Sequence, residues 1–214
     1  MQICGIDEAG RGPVIGPLVI CGVAVDEKDE VRLKNIGAKD SKLLTPGQRE
    51  VLAKQIHEIA SYKCVVVQPE EIDRAVNAKK YNLNWLEADK SAEIIDYLKP
   101  AKAYVDCPSP NISAYAAYIR KRISRDVELV ADHHAESKFI TVAAASILAK
   151  VRRDSLIEKL KKKYGIEFGS GYPADPITVD FLKKNFNRYP IFRKSWSSFT
   201  NVVEQKKQKT LGEF

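Results

Sequence analysis

Five apolar segments rich in valine and isoleucine recur along the chain, each ending at or close to a loop rich in glycine, proline or polar residues. Short β-branched runs bounded by turn residues are typical of buried strands. The first two segments follow each other directly, and the other three alternate with longer stretches of different character. The predicted strands cover residues 2–7, 17–25, 62–69, 101–108 and 126–132.

The stretches between the strands carry apolar residues at helical spacing. One helix has a clear start signal, since Thr45 can cap it and Pro46 fits its first position. The predicted helices cover residues 46–60, 70–76, 82–99, 111–123, 140–163 and 176–187. Strands that alternate with helices after an initial strand pair predict an α/β fold, with a mixed five-stranded sheet flanked by helices.

The 214 residues, 44% of them hydrophobic and 29% charged, suffice for one domain with a small addition. We expect a main domain over residues 1–165 and a small C-terminal helical extension over residues 166–200. Residues 201–214 are polar and are expected to form a tail. The chain shows no internal repeat that would suggest another organisation.

The net charge of +7 is compatible with a polyanionic partner, although charge alone is weak evidence for one. No apolar run reaches the roughly 18 residues of a membrane span, and no signal peptide is visible. The four cysteines lack metal-site spacing and are expected to be buried thiols in a reducing compartment. We therefore expect a cytoplasmic protein without membrane contact, and a monomer.

Acidic residues stand at the ends of two predicted strands. Asp7 and Glu8 end the first, and Asp106 ends the fourth. Sites in α/β sheets gather at the carboxyl ends of strands, so neighbouring strands would bring these acids together. Carboxylates without cysteine or histidine suit Mg²⁺ or Mn²⁺. The alternative is a strand-terminating turn at Asp106 and a surface acid at Asp7.

The loop after the first strand contains Gly10, Arg11 and Gly12 and runs into a second strand, which argues against a dinucleotide-binding loop. Glycines allow close approach of a ligand, and an arginine can bind a phosphate or sugar. A plain tight turn would explain the same residues. The local pattern leaves both interpretations open.

Five segments occur here in the order found in the type 2 ribonucleases H: GIDEAGRGPVIGPLV, KDSKLL, YVD, VAAASILAKVRRD and GSGYPADP. The chain closely resembles the archaeal ribonucleases HII over almost its whole length. The resemblance implies a ribonuclease H-like fold and dependence on two Mg²⁺ or Mn²⁺ ions. It also implies hydrolysis of RNA in RNA–DNA hybrids and incision at ribonucleotides embedded in duplex DNA, leaving 5′-phosphate and 3′-hydroxyl ends.

The resemblance implies four catalytic, metal-binding acids: Asp7, Glu8, Asp106 and Glu136. The fourth departs from the family pattern, which usually has aspartate eight residues before the first alanine of the AAS motif, Ala144 here. Asp132 is a rival with the wrong spacing. Glutamate at this position is similar to the sister class, ribonuclease HIII.

The resemblance also implies substrate contacts. Gly10, Arg11 and Gly12 match the family's loop that contacts the 2′-hydroxyl. Ser41 and Lys42 match a phosphate-contacting pair, and Tyr172 matches a tyrosine beside the junction sugar. The 2′-hydroxyl is the group that distinguishes RNA from DNA. Residues 166–200 would then form a substrate-binding extension.

The end of the chain matches a peptide that binds the sliding clamp. Gln208, Leu211 and Phe214 stand at i, i+3 and i+6, so one helical turn would present Leu211 and Phe214 to an apolar pocket. Such peptides usually close with two aromatic residues, and here the second would fall beyond residue 214. We expect a sliding clamp as a partner.

Two alternatives remain beside the ribonuclease HII interpretation. The first is a ribonuclease HIII-like enzyme that cuts hybrids but acts poorly on single ribonucleotides. The second is a non-catalytic hybrid-binding or clamp-tethered module that has lost a metal ligand. Only Glu136 favours either one.

Overall fold

The computed structural model describes residues 1–39 and 41–211, with side chains described up to residue 208. A five-stranded sheet lies at its centre, in the order β3-β2-β1-β4-β5. The first three strands are antiparallel, and β1, β4 and β5 are parallel to one another. The predicted mixed sheet is confirmed. The strands are β1 Gln2–Ala9, β2 Leu18–Asp26, β3 Ser61–Val67, β4 Lys102–Asp106 and β5 Glu128–Asp132.

Helices cover both faces of this sheet. Six of them lie where the apolar spacing predicts them, whereas α1 was not predicted because its single buried side chain, Leu33, gives no periodic signal. None of the helices in the described part of the chain is long and apolar enough to span a membrane. The helices are α1 Glu30–Asn35, α2 Pro46–Ile59, α3 Pro69–Asn77, α4 Leu83–Leu98, α5 Ile112–Arg120, α6 Ile140–Tyr164, α7 Pro176–Asn185 and α8 Ser197–Leu211.

Alternation along β1 divides the core into two layers. Ile3 packs in the layer with α2 and α6, and Cys4 packs in the layer with α4 and α5. Two strand glycines bring the helices close, since a Cβ on Gly5 would overlap the backbone of α6 and a Cβ on Gly22 would overlap Ile94 of α4. The sheet therefore holds both long helices at fixed positions beside the ends of β1 and β4.

A third apolar cluster joins the C-terminal segment, which we define as residues 166–211, to the loop that follows β1. It contains Val14 and Ile15 of that loop together with Phe168, Phe181 and Phe192. Ile15 forms an antiparallel bridge with Phe192. The C-terminal segment thus packs against the glycine loop, which we define as residues 10–16.

The segment predicted as a polar tail is helical over most of its length. Helix α8 begins at Ser197 and continues to Leu211, across the predicted boundary at residue 200. Phe199 and Val202 are buried in the third cluster and anchor the first turns of α8. Tertiary packing of this kind stabilises a helix that a polar sequence alone does not predict.

The expectation of four free thiols is wrong for two cysteines. Cys21 and Cys64 form a disulfide between β2 and β3, where the strand register places them directly opposite each other. Their separation of 43 residues gave no sign of this pairing, because strand register is a tertiary property. Cys4 and Cys107 are free and buried.

Candidate active site

Three carboxylates meet where β1 and β4 end. Asp7 and Glu8 lie near the end of β1, and Asp106 is the last residue of β4, its parallel neighbour. One carboxylate oxygen from each residue can be chosen such that all three lie within 4.8 Å of one another. The parallel pairing of two strands that are distant in sequence produces this cluster.

The two adjacent acids of β1 face different layers, because successive strand residues alternate sides. Asp7 is buried and accepts a hydrogen bond from Ser146 of α6. Glu8 lies on the side of α4 and is electrostatically coupled to Glu87 there. The cluster therefore lies between the two long helices, α4 and α6.

Burial raises the pKa of each of the three carboxyl groups above its ordinary value. The pKa of Asp7 is raised further by the charges of Glu8 and Asp106. Burial, Glu87 and Asp106 raise the pKa of Glu8 from 4.5 to about 8. Like charges this close stabilise the protonated forms, so a divalent cation would relieve the repulsion and lower these pKa values.

Glu136 lies in a short 3₁₀ helix, Ala135–Ser137, and lines the same cleft as the three clustered acids. Its Oε1 accepts a hydrogen bond from the Lys42 ammonium at 3.0 Å. Its Oε2 is buried and has no hydrogen-bond partner among the described residues. Burial raises the pKa of Glu136, but Lys42 and further hydrogen bonds outweigh this, and the pKa is lower than usual.

The rival acid, Asp132, pairs with Asp106 in the strand register but turns toward Lys138, whose Nζ lies 2.5 Å from its carboxylate. The segment that follows β5 also orients Asp106, because the backbone N–H of Ala135 donates to the Asp106 Oδ1 at 2.8 Å. The structure thus brings Glu136, and not Asp132, to the wall of the cleft.

The glycine loop lies beside the carboxylates in the same cleft. Gly10 has φ +87°, a conformation that favours glycine. The Arg11 side chain is held by α4, since its Nη2 donates to Asn84 Oδ1 at 2.7 Å and its Nη1 lies 3.5 Å from Glu87 Oε2. The sequence suggested Arg11 as a substrate contact, and the structure shows a side chain one-third exposed and already partnered.

Tyr172 lies on the other side of the glycine loop, next to Gly12. A Cβ on Gly12 would lie 3.6 Å from its ring, and Val14 donates its N–H to the carbonyl of Gly171 at 2.9 Å. Arg153 of α6 lies over the ring at 5.2 Å and donates to the carbonyl of Ser170 at 2.8 Å. The tyrosine is 37% exposed and therefore available to a ligand.

Ser41 and Lys42 lie in the short segment before α2, on the opposite wall. Ser41 Oγ is 2.9 Å from Ser146 Oγ, which connects this segment to Asp7. Arg49 of α2 donates to the carbonyls of Ser41 and Leu44 at 3.0 and 2.6 Å. All the expected residues of the cleft are thus brought together, from segments up to 165 residues apart.

Sequence reasoning missed several residues that shape this site. Glu87 carried a readable signal, because it stands at helical spacing on the buried face of α4 with Ser91 and Ile94. The contacts of Arg49, Arg153 and the residues that hold the glycine loop depend on long-range packing and left no sequence signal. The missed residues are Arg49, Asn84, Glu87, Ser146, Arg193 and Trp196.

Two of the three expected clamp-binding residues, Gln208 and Leu211, fall within the last turns of α8. Gln208 is exposed. The side chain of Leu211 and all of Phe214 lie outside the described residues. The clamp hypothesis therefore stays a prediction as far as this chain's geometry is concerned.

The sheet order, the helices on both faces and the acids at the ends of β1 and β4 define the class of ribonuclease H-like folds. The ribonuclease HII family model matches residues 4–199, and the chain belongs to the ribonuclease HII family. Its members are type 2 ribonucleases H, which are hydrolases.

Individual relatives agree with the family match over the whole chain. Ribonuclease HII of Pyrococcus furiosus is 46% identical, with 100% of this chain and 98% of the relative covered. The crystal structure of ribonuclease H2 from Pyrococcus horikoshii superimposes with a TM-score of 0.88 at 44% identity, covering 97% and 99% of the two chains. A PCNA:RNase HII complex from Archaeoglobus fulgidus matches with a TM-score of 0.84 at 42% identity, covering 92% and 96%.

Proposed function

We propose that this enzyme cleaves the RNA strand of RNA–DNA hybrids and incises duplex DNA at embedded ribonucleotides, leaving 5′-phosphate and 3′-hydroxyl ends. The observation that carries the proposal is the carboxylate cluster of Asp7, Glu8 and Asp106 at one end of the glycine loop. Two of the proposed metal-binding acids and the loop proposed to contact the ribose then lie within six consecutive residues, 7–12.

The donor set fits hard divalent cations. It consists of carboxylate oxygens whose pKa values are raised by burial and mutual repulsion, together with the unpartnered Oε2 of Glu136. We propose that Asp7, Glu8, Asp106 and Glu136 hold two Mg²⁺ or Mn²⁺ ions. When bound, such a pair supplies an activated water and charge stabilisation at the leaving 3′-oxygen.

The protein's own residues orient this cluster. Ser146 holds Asp7, and the N–H of Ala135 holds Asp106. Lys42 neutralises Glu136 and, at 74% side-chain exposure, is accessible to a phosphate. We assign Ser41 and Lys42 to a phosphate of the cleaved strand, on the wall opposite the glycine loop.

Recognition of the ribonucleotide is assigned to the other wall. We propose that Gly10, Arg11 and Gly12 meet the 2′-hydroxyl with their backbone, since the Arg11 side chain is held by Asn84 and Glu87. Tyr172 would stack beside the junction sugar, because Gly12 leaves room next to its ring.

A cleavage assay on a DNA duplex with one ribonucleotide tests the proposal, with Mg²⁺ or Mn²⁺ compared with EDTA and the product ends identified. We expect a single metal-dependent incision. An all-RNA strand paired with DNA runs in parallel. Cleavage of the hybrid without incision at the single ribonucleotide would favour a ribonuclease HIII-like activity, and failure on both substrates would favour a non-catalytic module.

We also propose that the C-terminal residues Gln208, Leu211 and Phe214 bind a sliding clamp. The complex of the Archaeoglobus fulgidus relative with PCNA supports this proposal. The test is calorimetric titration of the full chain with PCNA from Archaeoglobus fulgidus, beside a Leu211→Ala/Phe214→Ala variant. Binding that persists unchanged in the double variant would exclude this peptide.

A further inference from the structure

Arg193, in the C-terminal segment, is the largest fully buried side chain of the described residues. Its three guanidinium nitrogens all donate to carbonyls of the glycine loop. Nε donates to Gly16 at 3.0 Å, Nη1 to Arg11 at 2.8 Å and Nη2 to Gly10 at 2.6 Å. A charged group without exposed surface is costly unless it is fully hydrogen-bonded, so this arrangement is a built feature of the loop.

Trp196 extends the same set of contacts. Its Nε1–H donates to the carbonyl of Gly12 at 3.1 Å, and its ring lies 4.9 Å from the Arg193 guanidinium. The carbonyls of three consecutive residues, 10 to 12, are therefore all engaged by the C-terminal segment.

This engagement determines where the loop's N–H groups point. In a trans peptide the C=O and the following N–H point in opposite directions, and the described residues contain no cis peptide. Because the carbonyls of Gly10 and Arg11 point at Arg193, the N–H groups of Arg11 and Gly12 point away from it. Residue 13 is proline, so the Gly12 carbonyl has no N–H opposite it.

The C-terminal segment is itself fixed in place. Asp73 of α3 accepts hydrogen bonds from the backbone N–H groups of Lys194 and Ser195, both at 2.9 Å, and from the Ser195 hydroxyl at 2.6 Å. Gly16 donates its N–H to the carbonyl of Ile191 at 2.9 Å. Arg193 thus connects the glycine loop to a segment that is hydrogen-bonded to α3.

We infer that Arg193 is a positioning residue for ribose recognition: it orients the N–H groups of Arg11 and Gly12 toward the 2′-hydroxyl of the substrate. It touches the loop and not the substrate, so its effect is on discrimination between ribose and deoxyribose. The inference rests on the proposed role of residues 10–12.

Lysine cannot replace arginine here. Its single ammonium keeps the charge but lacks the planar fork that reaches three carbonyls at once. The Arg193→Lys variant therefore separates loop orientation from charge. Trp196→Phe is a milder second variant, because it keeps the ring and removes only the hydrogen bond to Gly12.

The test measures the KM for an RNA–DNA hybrid and the inhibition constant of an all-DNA duplex of the same sequence, in the full-length enzyme with Mg²⁺. The inhibition constant of the DNA duplex divided by the KM for the hybrid reports recognition of the 2′-hydroxyl. We expect Arg193→Lys to lower the ratio about tenfold, and Trp196→Phe about threefold, with the inhibition constant of the DNA duplex unchanged. Leu182→Ala, which removes a buried side chain from the same C-terminal cluster, is the matched control and should leave the ratio unchanged.

A wild-type ratio in Arg193→Lys, or a parallel loss of affinity for both duplexes, would overturn the inference. If Arg193→Lys does not fold, Trp196→Phe decides by the same criterion. Failure of the proposed function is a separate result: the wild type would then leave the single-ribonucleotide duplex intact. The hybrid ratio would still report on Arg193 in that case.

Discussion

The two walls of the cleft are built in different ways. The proposed metal-binding wall consists of carboxylates at the ends of adjacent parallel strands, and strand pairing brings Asp7 to Asp106. The proposed recognition wall consists of loops whose carbonyls are held by buried arginines, Arg193 behind the glycine loop and Arg153 behind Ser170. In the proposed function, the carboxylates that carry the chemistry stand on the sheet, whereas the loops that recognise the substrate are held by side chains from distant segments.

This difference predicts different consequences of mutation. Removing a carboxylate from the sheet should abolish the reaction while the substrate still binds. A change that loosens a loop should weaken substrate binding or make it less selective, while the reaction itself continues. The following experiments test that contrast, in order of decreasing effect.

The largest effect is expected for Asp7→Asn. A metal-binding carboxylate contributes several kcal/mol of transition-state stabilisation, so kcat should fall at least about 1,000-fold while hybrid binding persists. Single-turnover cleavage and a filter-binding assay measure the two quantities. Asp132→Asn is the matched control, since it removes an acid two strands away from β1 that is paired with Lys138; its activity should stay within about twofold of the wild type. Comparable losses in both variants would contradict the assignment.

Glu136→Gln should have the next largest effect. The amide keeps the shape but loses the charge that pairs with Lys42, and we expect about a 100-fold loss in kcat or in apparent metal affinity. Titration of activity with Mn²⁺ separates the two. Glu136→Asp shortens the side chain to the family's usual acid and should retain more activity than Glu136→Gln. Full activity of Glu136→Gln would remove this residue from the site.

Arg49→Lys tests the segment before α2 that carries Ser41 and Lys42, the proposed phosphate contacts. The variant weakens two hydrogen bonds to the carbonyls of Ser41 and Leu44, which hold the segment that carries Lys42. We expect KM for the hybrid to rise about tenfold with kcat within threefold of the wild type. A matched fall in kcat with unchanged KM would show that Arg49 acts on the chemical step.

The smallest effect concerns stability and pH. Burial raises the pKa of Glu8 from 4.5 to about 8, so the folded protein binds more protons than the unfolded chain between these values. This group therefore makes the metal-free protein less stable as pH rises from about 4.5 to about 8. Glu8→Gln should have a Tm above that of the wild type at pH 8, by a few degrees, and the two should converge near pH 5.

Divalent cations should reverse that trend, because they bind the deprotonated carboxylates. Added Mn²⁺ should raise the wild-type Tm more at pH 8 than at pH 6, and Glu8→Gln should show a smaller increase. Scanning calorimetry with and without Mn²⁺ measures both. An equal Mn²⁺ effect at the two pH values would argue against the coupling of Glu8 to the metal site.

Local patterns determined most of the sheet and the six longer predicted helices, because β-branched runs and helical spacing reflect burial directly. The same patterns missed α1 and the helical character of α8, since a short helix and a polar helix are stabilised by what they pack against. The disulfide between Cys21 and Cys64 was missed for a related reason: it depends on strand register.

The sequence by itself also determined the family and most of the residues that line the cleft, because its motifs are contiguous and occur in the family's order. Tertiary structure decided how those motifs act on one another. It turned Glu136 and not Asp132 to the cleft, anchored Arg11 on α4, and placed Arg193 behind a loop 183 residues away. Such contacts join side chains whose distance along the chain carries no local signal, so only the packed fold establishes them.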